Sequence, residues 1–133
     1  MTLYLLDTNA VSAALKGNAA LDRRLQDLPA AAWCISAVTR AELRFGVARR
    51  PDATRLAQVV DAFLAAARIE AWDAKAADEH GRLRAALAAK GRRIGDFDKM
   101  IAAHALALGA ILVTDNMRHF SRVSGLKSEN WVR

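Results

Sequence analysis

Four acidic residues stand where a carboxylate could do more than keep the chain in solution: Asp7, Glu42, Asp98 and Asp115. Asp7 follows the apolar run Leu3-Tyr4-Leu5-Leu6, and Asp115 follows Ile111-Leu112-Val113-Thr114. Glu42 lies shortly after Trp33-Cys34-Ile35, and Asp98 opens the apolar stretch Met100 to Leu108. Carboxylates that converge repel one another unless something positive lies between them. The usual solution is a hard divalent cation with oxygen ligands. Such a site can activate water and neutralise charge on a phosphodiester. No cysteine or histidine cluster competes for a softer metal, and His80, His104 and His119 show no ligand spacing.

Each acid also has an ordinary explanation. Asp7-Thr8-Asn9 could cap a helix. Asp98 could be a favourable anion in a helix's first turn, and Asp115-Asn116 is a common turn pairing. Thr39-Arg40-Ala41-Glu42 matches a capping box, but Ser36 is an equally good cap and would put Glu42 in the second turn. Asp96 precedes Asp98 by two residues, about 200° round a helix, so the two cannot face one metal.

The elements that must position these side chains can be read from the apolar pattern. Residues 3–6, 33–35 and 111–113 are apolar on both alternating faces, as strands buried on both sides of a parallel sheet are. A weaker strand is expected at 69–72 and a last one near Trp131. Helices are expected at 9–16, 18–28, 37–49, 52–67, 74–89 and 97–108, rich in alanine, leucine and arginine. Gly91 and Gly109 are placed to end two of them. Alternating strands and helices imply one α/β domain over 1–133, a central parallel sheet with helices on both faces. Leu5, Ile35 and Val113 should be buried. Ligands of such sheets bind at the carboxyl ends of the strands, here lined by carboxylates, hydroxyls and amides.

The 133 residues are 53% hydrophobic and 26% charged, with a net charge of +6. That composition fits a globular protein and favours polyanionic partners. One cysteine, Cys34, allows neither an internal disulfide nor a cysteine-based zinc site. No run reaches the roughly 20 apolar residues that span a bilayer, and no secretion leader is evident, so a cytoplasmic address is expected. His104 reads as a packed helix residue, and Trp33, Trp72 and Trp131 read as core or interface.

Four segments, taken together and in order, resemble the PIN-domain ribonucleases and, within them, the VapC-like toxins of bacterial toxin–antitoxin pairs. They are Leu-Leu-Asp7-Thr-Asn9, Ile-Ser36-Ala-Val-Thr39-Arg-Ala-Glu42-Leu, Ile94-Gly-Asp-Phe-Asp98-Lys-Met-Ile-Ala-Ala-His-Ala and Leu-Val-Thr114-Asp115-Asn116. The resemblance spans essentially the whole chain and implies a PIN-like, Rossmann-like fold. It puts Asp7 and Asp98 in the places of the most dependable metal ligands, Glu42 in the third acidic place and Asp115 in the fourth, where relatives often carry asparagine. Asn9, Ser36 and Thr114 match supporting polar positions. The family pattern selects Asp98 over Asp96, leaving Asp96 to cap the helix. The implied reaction is magnesium- or manganese-dependent hydrolysis of RNA, with water attacking in line. A VapB-like antitoxin and a homodimer are implied as partners. The arginines that could hold RNA include Arg40, Arg44, Arg82, Arg84, Arg92 and Arg93, with Arg40 and Arg44 the better candidates because they flank Glu42.

Two other classes remain open on sequence. A basic module could bind RNA or an acidic protein without cutting, its acids only capping helices. A phosphoryl-transfer domain built on a strand-end aspartate is less well matched, because Asp7-Thr8-Asn9 lacks the second aspartate of dehalogenase-type sites. A receiver-type domain would need paired early acids and a late lysine after a strand, which are not evident. No Gly-rich phosphate loop is present.

Overall fold

A computed structural model describes all 133 residues. Five strands form one parallel sheet: β1 (Tyr4–Leu6), β2 (Trp33–Ser36), β3 (Ile69–Glu70), β4 (Ile111–Val113) and β5 (Ser128–Glu129), in the order β3-β2-β1-β4-β5. The helices are α1 (Thr8–Leu15), α2 (Ala19–Gln26), α3 (Ala37–Ala48), α4 (Thr54–Ala66), α5 (Ala74–Ala89), α6 (Asp96–Leu108) and α7 (Met117–Phe120), with a 3-10 turn at Ala30–Ala32.

The register explains the doubly apolar runs. Leu5 pairs with Cys34 and Leu112, and these point into a core shared with Leu83 and Leu87 of α5 and Ile101, Ala102 and Ala105 of α6. Leu6 pairs with Ile35 and Val113, and these point the other way, towards Val11, Leu21, Leu43, Val60 and Leu64. Leu5, Leu6, Ile35, Leu112 and Val113 are fully buried. Each such side chain contributes about 1.5–3 kcal/mol on leaving water. Burial also pushes the Cys34 thiol up to about 11, which leaves it a small apolar filler.

The expected helices all form, with ends that differ by a few residues. Gly109 ends α6 at φ +64°, a left-handed conformation that a side chain would strain. The last strand lies upstream of Trp131, at Ser128–Glu129, and Trp131 packs into the core beyond it. Asp96 does not cap α6. Gly95 holds the cap position, and Asp96 is the first helical residue, paired with Lys99 at 3.2 Å.

The strand order puts the site in place. The chain runs from β1 outward to β2 and β3, then returns to the far side of β1 for β4 and β5. The carboxyl ends of β1 and β4 are therefore the point where the direction of winding reverses, the usual ligand crevice of an open parallel sheet. Asp7 and Thr114 are the residues that leave these two strands.

Candidate active site

Asp7 is held by both of its neighbours in the sheet and helix. Its amide donates to the Val113 carbonyl at 3.0 Å, tying the ends of β1 and β4 together. Its Oδ1 accepts the Ala10 amide at 2.7 Å and caps α1. Its Oδ2 is buried and has no hydrogen-bond partner. Burial is the main reason that the carboxyl is pushed up from 3.8 to about 6. The Thr114 hydroxyl and the Ala10 amide oppose that rise, and the charges of Asp98 and Glu42 add to it.

Asp98 lies in the first turn of α6, half-buried, with Oδ2 beside Gly95. Burial raises its pKa, and the nearby His119 opposes the rise. Glu42 projects from α3, whose cap is Ser36, so the capping-box reading falls. The Glu42 Oε1 instead accepts the Thr8 hydroxyl at 2.6 Å. The Thr8 and Thr39 hydroxyls lie 3.1 Å apart. A carboxylate only accepts and a hydroxyl has one proton, so Thr8 donates to Glu42 and Thr39 donates to Thr8.

The structure thus brings Asp7, Glu42 and Asp98 within electrostatic reach of one another. It does not close them into a finished cage: no three acidic, histidine or cysteine side chains stand together as a ready metal ligand set. Asp115 has one oxygen engaged by the C-terminal residues. Its Oδ1 accepts from Asn130 at 3.0 Å and from Arg133 at 3.1 Å, and the charges that act on Asp7 are those of Asp98 and Glu42.

The supporting residues divide. Thr114 is buried beside Asp7, and its hydroxyl also accepts the Asn116 amide at 2.9 Å. Ser36 is buried but bonds the Val38 amide and the His104 ring, which locks α3 to α6 and touches no carboxylate. Asn9 is exposed on α1 rather than packed against the acids. Arg40 is exposed, and Arg44 is paired with Asp61 at 2.6 Å.

Three contributors escaped the reading of the sequence. Thr8 and Thr39 position Glu42, and their only signal was the hydroxyl directly after Asp7 and the one that suggested a capping box. His119 reaches Asp98 from α7 and is held by Asn116 at 2.8 Å. An Asn-x-x-His spacing after a strand gave no warning of it.

The donors fit a hard cation. All are oxygens, and Asp7 Oδ2 is an acceptor taken out of water with nothing to bond. A buried carboxylate oxygen is costly in that state and is relieved by a bound positive charge.

A model of the PIN domain matches residues 4–126. The tRNA(fMet)-specific endonuclease VapC of Shigella flexneri is 40% identical over 131 residues, which cover 98% of this chain and 99% of the relative. Ribonuclease VapC2 of Haemophilus influenzae strain Rd is 39% identical over 134 residues, 99% of this chain and 100% of the relative. Among solved structures, VapBC2 from Rickettsia felis bound to a DNA fragment from its promoter superposes with a TM-score of 0.91 at 35% identity, covering 98% of this chain and 99% of that one.

Proposed function

The chain belongs to the PIN-domain family, among its VapC-like toxins, and on that premise we propose that it is the endoribonuclease of a toxin–antitoxin pair, hydrolysing RNA phosphodiester bonds at a magnesium site formed by Asp7, Glu42 and Asp98. The observation that carries the metal site is the buried, unpartnered Oδ2 of Asp7, with two more carboxylates acting on it. Manganese, with similar oxygen preference, would also serve.

A cation bound there would activate water and offset charge on the scissile phosphate. The remaining work belongs to the protein. Asp7 offers Oδ2 from a backbone fixed by Val113 and by the cap of α1. Thr8 holds one oxygen of Glu42 and limits its rotamers. The first turn of α6 presents Asp98 at the mouth of the crevice. Thr114 stands beside Asp7 at the carboxyl end of β4. Asp115 would enter this scheme as a fourth and outer ligand through Oδ2, with Oδ1 held by Asn130 and Arg133.

The antitoxin has a surface to use. A groove of about 500 Å³ runs between α1, α3 and α4, floored by Leu15, Leu43, Leu56 and Val59 and rimmed by Lys16, Arg50 and Arg55. Thr8 and Glu42 lie at its wall. An amphipathic segment of a VapB-like antitoxin, apolar on one face and acidic at its edges, would fill the groove and cover Glu42. A homodimer and a cytoplasmic location go with this reading, and sedimentation of the purified toxin tests the first.

The deciding experiment is cleavage of single-stranded RNA by the purified protein. Magnesium should support cleavage, chelation should abolish it, and Asp98→Asn should lower it by orders of magnitude while leaving the thermal unfolding profile cooperative. Cleavage that survives both chelator and Asp98→Asn would remove the metal-nuclease reading.

A further inference from the structure

A second crevice, larger than the antitoxin groove, lies outside the acidic site. It has a volume of about 820 Å³ and opens between α5, the 91–94 connection and the first turn of α6. Gly81, Ala85 and Ala88 form its floor from one face of α5, and their small side chains leave the space open. Its charged lining is Arg84, Arg92, Arg93, Lys99 and Asp96. Asp96 is engaged by Lys99, whereas Arg84, Arg92 and Arg93 are exposed and form no ion pair. Four cations against one carboxylate leave the crevice strongly positive.

The crevice is built rather than draped. The Arg92 amide donates to the Leu87 carbonyl at 2.9 Å, and Gly91 makes the turn at φ +63°. Arg122 donates to the Arg93 carbonyl at 2.6 Å, and Ile94 is buried behind the loop. The backbone that carries Arg92 and Arg93 is therefore fixed on both sides, while their guanidinium groups stay in solvent. The field of this cluster reaches His80, whose pKa is lowered by burial and by Arg84 and Lys99.

The position matters as much as the charge. Asp96 and Lys99 face the crevice from the first turn of α6, and Asp98, on the same turn, is rotated away towards Asp7. Crevice and acidic site thus flank one helix end, separated by roughly a helix diameter of 10–12 Å. An RNA strand that reaches a rim of three carboxylates needs positive ground next to it, and this crevice is where the chain supplies it.

We propose that the α5–α6 crevice is a docking site for the single-stranded RNA backbone beside the scissile phosphate, with Arg84, Arg92 and Arg93 contacting phosphates. The inference rests on the ribonuclease reading above and names the part of the surface that holds the substrate. Arg92 and Arg93 take the role that Arg40 and Arg44 were expected to fill. Arg44 is occupied by Asp61, and Arg40 stands outside any concave surface that the crevice forms.

The test uses the full-length chain with all three arginines changed, Arg84→Gln, Arg92→Gln and Arg93→Gln, and a fluorescently labelled single-stranded RNA. Cleavage is followed with magnesium at several salt concentrations, and binding is followed by anisotropy in the Asp98→Asn background. The triple variant should raise KM and Kd by about 10–100-fold with kcat within about threefold. It should reduce the slope of log Kd against log salt by about 2, since each lost phosphate contact on a single strand is worth roughly 0.7. Lysine at the same three positions should restore most of the slope, and Arg23→Gln on α2 should change nothing. Unchanged KM, Kd and slope in a protein that cuts RNA would overturn the crevice proposal and leave the ribonuclease reading intact. So would a fall in kcat alone. Failure of the unmodified protein to cut RNA would instead fault the ribonuclease reading, and the anisotropy arm would still judge the crevice.

Discussion

Replacing Asp7 by Asn removes one charge from a side chain that is 1% exposed, and the change in stability should depend on pH in a way that identifies the cause. In the folded, metal-free protein the Asp7 carboxyl titrates at about 6 instead of 3.8. A group whose folded pKa is raised binds its proton more tightly when folded. Its favourable contribution is complete below the unfolded value, near 4, and is lost as pH rises through about 6. Two pKa units at 1.36 kcal/mol each come to about 3 kcal/mol lost by the wild type across that window. The Asn variant has no such titration. Its Oδ1 can still cap Ala10, because Asn caps about as well as Asp, while its amide NH2 takes the unpartnered position at a cost of about 1–3 kcal/mol. Urea unfolding in chelator from pH 4 to pH 8 measures both terms. The variant should be equal to or weaker than the wild type at pH 4, and the difference should swing in its favour by about 2–2.5 kcal/mol by pH 8. Magnesium should stabilise the wild type and leave the variant unmoved, since only the wild type offers the charged oxygen. A stability difference that stays flat from pH 4 to pH 8 would refute the claim that Asp7 is a strained, buried carboxylate.

Thr8→Val removes the donor to Glu42 and should cost about 1–2 kcal/mol of stability. It should also raise the magnesium concentration needed for half-maximal cleavage several-fold, which a magnesium titration reads directly. Ser36→Ala removes the cap of α3 and leaves the His104 ring nitrogen unpaired, so thermal unfolding should report a loss of about 1–3 kcal/mol; kcat should hold, because Ser36 touches no carboxylate. Gly109→Ala forces a side chain into φ +64° and should cost about 1–2 kcal/mol with cleavage unchanged.

The sheet was legible because burial on both faces leaves a mark in composition. Leu5 and Leu6 face opposite cores, and both must be apolar. β5 leaves no such mark. Ser128 and Glu129 join β4 through backbone bonds at the sheet edge, and their side chains are only half-buried, so polar residues serve as well as any. α7 has four residues, Met117–Phe120, too few for a helical period to show. Asp98 could be chosen over Asp96 from the family pattern once helix geometry had separated their directions. The structure agrees with that separation: the Asp96 side chain is 93% exposed and paired with Lys99. The partners of Asp115 were not readable, because Asn130 and Arg133 lie 15 and 18 residues further along the chain.

Capping and metal binding looked like rival explanations of Asp7 in the sequence, and the geometry leaves room for both. A carboxylate has two oxygens, and Asp7 uses one for the cap and leaves the other for the proposed cation. Oδ1 bonds the Ala10 amide, which fixes the side chain's torsion and holds the start of α1 against β1. That bond leaves Oδ2 with no freedom to turn towards another donor, buried at the junction of β1 and β4. Serine, threonine or asparagine could cap the helix, but none would leave an anionic oxygen there. The cap therefore explains why the residue is short and polar, while burial of its charge raises its pKa. Glu42 follows the same logic, with Thr8 holding one oxygen and the other left over. Both carboxylates are immobilised by structural bonds before any ligand arrives, so little side-chain entropy remains to be lost when a cation binds.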